Sequence, residues 1–166
     1  MRRKADQPGL AVMDVTKLLT RPEGRISRAS FWIGWLIIIA VESVIRLTLG
    51  VPFVPTPSDA LSVRFLSFLI DLALFYPWVV VTVKRLHDRN RSGELVGWLV
   101  VPYSVLMVTN LLGMSGDPDH MGAVESVLVI GTFGITLAFM VDLGFRRGTA
   151  GDNPYGPDPR DPHAHA

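Results

Sequence analysis

The sequence predicts an all-α integral membrane protein, a four-helix bundle with a small cytoplasmic cap. Three observations predict it. Four apolar runs of roughly 20 residues, each long enough for a ~30 Å hydrocarbon core, are separated by short polar connections. All of the 16 basic residues except Arg46 and Arg64 fall in alternate segments: before the first run, between the second and third, and after the fourth. By the positive-inside bias those segments are cytoplasmic. The tryptophans agree, since Trp32, Trp35, Trp78 and Trp98 all lie toward the same helix ends, where an amphipathic indole is favoured.

The N-terminal arm, residues 1–30, carries Arg2, Arg3, Lys4, Lys17, Arg21, Arg25 and Arg28. It lacks an apolar stretch followed by a small-residue cleavage site, so the first span is expected to act as an uncleaved signal anchor. Within the arm, Leu10 to Leu19 places Val12, Val15, Leu18 and Leu19 at helical spacing. This fits a short helix lying on the membrane surface or one packed on the connections.

The membrane domain, residues 31–143, begins with the run Phe31–Gly50. Val63–Val83 follows, then Leu95–Leu112, then Ala123–Leu143. Pro77 and Pro102 interrupt the second and third runs. A bundle tolerates such prolines as kinks, because neighbouring groups satisfy the freed carbonyls. The strand alternative fails, since the runs are too long and lack period-2 alternation. The 84–94 connection is expected to be a basic cytoplasmic loop, and 51–62 and 113–122 to face outward. Residues 144–166 form a tail of Gly, Pro, Asn and Asp, which predicts successive turns.

Composition excludes several classes of chemistry. There is no cysteine, so there are no disulfides, thiolate nucleophiles or thiolate metal sites. No nucleotide loop, zinc motif or nucleophile elbow occurs. The basic run is short and has no aromatic stacking platform, which argues against nucleic acid as a partner. Neither a cofactor nor a metal site is expected. In the tail, Asp152, Asn153 and Asp158 offer oxygen ligands, but not at the spacing of a calcium loop. No metal site is expected of His163 and His165.

Three polar segments stand out at the cytoplasmic face. The first is Gly24-Arg25-Ile26-Ser27-Arg28 followed by Phe31-Trp32. The second runs from Lys84-Arg85-Leu86-His87-Asp88 to Ser92-Gly93. The third contains Gly151-Asp152-Asn153-Pro154-Tyr155-Gly156-Pro157-Asp158-Pro159. Their order around hydrophobic spans resembles the bacterial domain-of-unknown-function-805 family of small inner-membrane proteins, over roughly residues 16–160. That family usually continues Ser-Gly directly with an aromatic residue. Here Glu94 follows Gly93, and the tryptophan comes at Trp98. The resemblance implies an inner-membrane location and brings no catalytic residue.

The residues themselves allow more than one reading. Arg25 and Arg28, three apart before a span, are placed to reach lipid phosphates. Each of the basic residues in 84–91 is worth on the order of 1 kcal/mol near an anionic leaflet. The three segments are expected to pack together, with Arg85 or Arg25 reaching Asp152 or Asp158 and His87 lying against the tail. His87 and Asp88 are adjacent, so they do not face each other on a helix. Inside the spans, Glu42 and Arg46 share a helix face, and Asp71 sits at similar depth on the next helix. Charges there are costly, so they should face the bundle interior, as a polar clasp or as an ion-handling site.

The leading expectation is a non-enzymatic membrane component that binds anionic lipid headgroups or partner proteins. One rival is a small transporter or proton pathway built on Glu42, Arg46 and Asp71, marked by a cavity reaching them. The other is a membrane enzyme whose His87, Asp88 and Asp152 converge on one pocket. An oligomer is compatible with all three, and Gly93-x-x-x-Gly97 is a weak signal for helix association.

Overall fold

The computed structural model describes residues 14–114 and 122–161. Leu10–Met13, His163 and His165 lie outside that range. Among the described residues the architecture is helical, with no strand. Helix α1 spans Val15–Thr20, α2 Arg28–Leu49, α3 Leu61–Asp88, α4 Gly97–Leu112 and α5 Ala123–Phe145. A 3-10 turn, Gly93–Val96, leads into α4. The four longer helical stretches are long and apolar enough to cross a membrane.

Local chemistry sets the helix ends. Asp14 caps α1 by accepting from the Lys17 N–H at 3.0 Å. Ser27 caps α2 by accepting from the Ser30 N–H at 3.2 Å. Each hydroxyl or carboxylate satisfies a donor that the first helical turn leaves open. Helix α3 has 28 residues, or about 42 Å at 1.5 Å per residue. That exceeds a ~30 Å hydrocarbon core by about two turns.

The extra length corrects one expectation. Lys84–Asp88 is not loop but the last turns of α3, and Arg85 and Asp88 meet at i,i+3 along it. The chain leaves the helix only at Asn90, whose φ of 55° is left-handed. Ser92 then caps the 3-10 turn by accepting from the Glu94 N–H at 3.2 Å. Helix α4 therefore begins at Gly97, two residues later than the apolar run suggests. Both α3 and α4 run unbroken through Pro77 and Pro102.

Each of α2 to α5 packs against its neighbour in sequence, α5 closes against α2, and α3 also touches α5. The core concentrates at one end of this bundle, where Leu18, Ile26, Phe31, Ile38, Val81, Leu86 and Leu143 form one buried cluster. Gly34 permits the approach of α3, because a Cβ there would lie 3.0 Å from a Val81 methyl. Helix α1 docks on α2 and α3 through Leu18. The arm helix is thus a packed helix rather than one held by lipid alone. Outward faces of the long helices expose Leu36, Val44, Leu47, Val127 and Ile130. Such continuous apolar surface suits a hydrocarbon solvent and not water.

Candidate functional site

Two buried charge networks hold the polar residues of the chain. The first lies at the end carrying α1 and the tail, and is centred on Asp88, which is 2% exposed. Its two carboxylate oxygens are divided between two arginines. Arg25 donates from Nε and Nη2 to Oδ1, at 3.2 and 3.0 Å. Arg85 donates from Nη1 to Oδ2. Both guanidinium groups are buried.

The arginines' remaining donors go to main-chain carbonyls. Arg25 reaches Thr149 and Gly151 at 2.7 Å each and Gly156 at 3.2 Å. Arg85 reaches Leu143 at 2.7 Å, Arg146 at 2.6 Å and Ile26 at 3.3 Å. Arg28 donates to the Phe145 carbonyl at 3.0 Å, and the Trp32 indole to that of Gly144 at 3.1 Å. Four successive carbonyls at the end of α5, Leu143 to Arg146, are therefore capped by side chains from α2 and α3. A helix C-terminus leaves such carbonyls open and carries partial negative charge, so cations are the fitting partners. Arg28 and Trp32 sit one turn apart on α2 and reach adjacent carbonyls, which gives the Arg28-to-Trp32 spacing a structural purpose.

His87 faces elsewhere. Its Nδ1 donates to the Gly24 carbonyl at 3.2 Å, and its ring stacks on Tyr155 at 4.0 Å with the planes 4° apart. The tail is then tied to the end of α3. Asn153 donates to the His87 carbonyl at 2.9 Å, and the Thr149 N–H to that of Asp88 at 2.8 Å. Asn153 and Gly156 exchange backbone hydrogen bonds at 3.1 and 3.0 Å, a turn that requires the φ of 133° at Gly156. Gly148 is close against Asp88, where any Cβ would overlap the carboxylate. A Cβ at Gly93 would lie 2.9 Å from Val83 and 3.2 Å from His87 Nε2.

Several sequence expectations need correction here. Arg25 and Arg85 meet Asp88 and carbonyls, not Asp152 or Asp158. Asp158 pairs instead with Arg160 at 2.8 Å, and Asp152 is exposed and accepts from the Asp158 N–H at 3.3 Å. Arg25 does not point to lipid, because its whole guanidinium is spent inside the cap. Asp88, His87 and Asp152 have three different sets of neighbours and do not form one pocket. Gly93 packs within its own hairpin, and Gly97 has open space around it. Sequence reasoning missed Asp142, which gathers Arg91 and Arg146 at 3.1 Å each and Arg89 at 3.4 Å. Its i,i+4 spacing to Arg146 was the available signal. Among the described residues, no group of three or more His, Asp or Glu side chains is placed to hold a metal ion.

The second network lies between α2 and α3. Arg46, 1% exposed, donates to Glu42 Oε1 at 2.9 Å and to Asp71 Oδ1. Its Nη1 also donates to the Pro52 carbonyl at 2.7 Å and the Ser67 hydroxyl at 2.9 Å. The guanidinium carbon lies 5.4 Å from the Phe53 ring centroid. Beside this network is a cavity of about 200 Å³ with walls from α2, α3, α4 and α5. Glu42 and Asp71 border it, as do Trp35, Phe75, Trp78 and Tyr103. These four rings form one cluster, with Phe75 stacked on Tyr103 at 5.5 Å and on Trp78 at 5.8 Å.

Four helices able to cross a bilayer, outward apolar faces and charges held in the interior or near the helix ends define an α-helical membrane protein. The chain belongs to the family described as protein of unknown function (DUF805), whose model matches residues 19–157. It is 30% identical to the uncharacterized protein YiiR of Escherichia coli K12, over 90% of this chain and 92% of that one. It is 35% identical to the inner membrane protein YhaI of the same strain, over 47% of this chain and 67% of that one. No solved structure matches it.

Proposed function

We propose that the protein is a non-enzymatic component of the inner membrane, with both ends of the chain cytoplasmic and an affinity for anionic lipid headgroups. The inner-membrane assignment is supported by the likeness to YhaI, and the orientation by the distribution of basic residues. One observation carries the reading: the motif side chains that meet at Asp88 are turned inward, and a second set of cations, Arg28 and Arg91 of the motifs among them, is left outside. Arg25 and Arg85 share the Asp88 carboxylate in the cap, and their other donors are met by main-chain carbonyls. Lys17, Arg21, Arg28, Arg91, Arg146, Arg147 and Arg160 are exposed around it. Such a ring at the cytoplasmic interface attracts phosphate, at on the order of 1 kcal/mol for each charge not already ion-paired. A motif that spends its titratable groups on holding helix ends together is a scaffold rather than a reaction centre.

The test has two arms. Cysteine placed at exposed Ser58 should label with an impermeant reagent in intact cells, and cysteine at exposed Ser92 only after lysis; the reverse pattern refutes the orientation. The purified protein should be stabilised against heat more by phosphatidylglycerol than by phosphatidylcholine. Glutamine at Arg21, Arg28, Arg146 and Arg147 together should remove most of that difference. Equal stabilisation by both lipids refutes the lipid affinity.

A second reading, an ion or proton pathway through Glu42, Arg46 and Asp71, is supported by the cavity that the two carboxylates border. A proton flux in dye-loaded proteoliposomes that Asp71→Asn abolishes would favour it over the first.

A further inference from the structure

The intramembrane cavity has an uneven chemistry. Two carboxylates border it, while their shared cation does not: Arg46 is absent from the lining and points to Pro52, Ser67 and Phe53. Arg46 takes one oxygen of each carboxylate and offsets one of two negative charges. The side that faces the cavity therefore presents two carboxyl groups against one guanidinium.

The opposite end is aromatic. Trp35 precedes Glu42 by seven residues on α2, and Trp78 follows Asp71 by seven on α3. At 1.5 Å per residue both pairs are about 10 Å apart along the helices. The acidic and aromatic ends are thus separated in the same sense on both walls. The Trp35 indole N–H is buried without a hydrogen-bond partner and belongs to this aromatic end. A buried donor left open is costly, and an acceptor brought by a ligand would satisfy it. The volume of about 200 Å³ equals that of six or seven waters at ~30 Å³ each.

We propose that this cavity binds a small arylalkyl ammonium ion. The ammonium lies at Glu42 and Asp71, and the ring lies among Trp35, Phe75, Trp78 and Tyr103. Carboxylates supply acceptors for the ammonium N–H groups and the missing counter-charge. Aromatic faces suit both the ligand's ring and the positive charge behind it. An acceptor on the ring's far edge, such as a phenol oxygen, would meet the Trp35 N–H. A carboxylate-bearing or neutral molecule of the same shape would add charge to an acidic wall or leave it unmatched. The site goes beyond the lipid-anchored reading and is independent of it, because the cap variants leave the cavity untouched.

The test uses the full chain in phosphatidylcholine nanodiscs, which bind few cations themselves, with tritiated tyramine as the probe. Saturable binding of one tyramine per chain is expected. Phenethylammonium should compete, whereas 4-ethylphenol and 3-(4-hydroxyphenyl)propionate should not. Glu42→Gln and Asp71→Asn should each weaken binding at least tenfold. Thr136→Phe fills the cavity from α5 without touching the charges, and should abolish binding in a protein that elutes like the parent. It decides the matter if the charge variants fail to fold. Absence of saturable binding by both ammonium probes overturns the proposal. So does equal competition by the neutral or anionic analogue, or a folded Thr136→Phe that binds like the parent.

Discussion

Asp88→Ala removes the carboxylate shared by two buried guanidinium groups. Six main-chain carbonyls remain to them: Thr149, Gly151 and Gly156 for Arg25, and Ile26, Leu143 and Arg146 for Arg85. Hydrogen bonding is therefore mostly kept, and the charge balance is not. Removing one partner of a buried ion pair costs about 3–5 kcal/mol. The carbonyl dipoles hold the loss to the lower end, about 3 kcal/mol, or more than a hundredfold in the folding equilibrium. Asp88→Asn keeps an oxygen acceptor and loses the charge, so about 1.5 kcal/mol is expected, near the worth of one hydrogen bond to a charged group. Gly148→Ala should act in the same direction with no change of charge, since its Cβ would displace the carboxylate. Denaturant titration in detergent, followed by tryptophan fluorescence, measures all three. Trp32 reports directly, because its indole is bonded within the cap. An alanine variant within about 0.5 kcal/mol of the parent, the range of ordinary surface substitutions, would refute the reasoning. An asparagine variant less stable than the alanine one would refute it too.

Arg46→Ala should destabilise more than Glu42→Gln or Asp71→Asn, by about 3 kcal/mol or more, because it strands two carboxylates together. Arg46→Leu combined with Glu42→Leu should recover part of that loss, and thermal unfolding in detergent would compare the set. In the tail, hydrogen bonds from the Arg160 side chain hold the Asp158 carboxyl well below the usual carboxylate range. A depressed folded value stabilises above the ordinary value of ~3.9 and is lost as pH falls below it. The Gly151 amide, which donates to Asp158 Oδ2 at 3.1 Å, should keep its hydrogen-exchange protection through the ordinary carboxylate range of ~3.9 and lose it only as pH falls through the depressed folded value. Asp158→Asn should show low protection throughout; protection equal to the parent's at neutral pH would contradict the role given to this pair.

The spans were legible because a run of twenty apolar residues is a length signal that needs no knowledge of tertiary contacts. The end of α3 was not. Lys84, Arg85, His87 and Asp88 look like a solvated connection, and only the inward arginine partners explain why they remain helical. The i,i+4 pair Glu42 and Arg46 could be read from spacing, and Asp71 from depth. The Pro52 carbonyl could not, since its role depends on how the 51–60 connection folds back. The same gap accounts for the partners assigned to Arg25. A sequence displays carboxylates such as Asp152 and Asp158, but it hides which carbonyls a series of turns directs inward. In this cap the carbonyls outnumber the carboxylates as acceptors.

The carbonyl acceptors of Arg25 and Arg28, and all but one of those of Arg85, lie between Leu143 and Gly156, which leave the ribosome after α2 and α3. During synthesis, α2 and α3 enter the bilayer carrying Arg25, Arg28, Trp32 and Arg85 with these bonds unmade. Asp88 supplies one shared anion in the meantime, and the rest of the solvation arrives only with the end of α5 and its tail. A chain broken off after α4 would thus leave two guanidinium groups short of most of their acceptors, which residues 143–156 supply. The seal on the two arginines depends on a segment that emerges well after the helices that carry them.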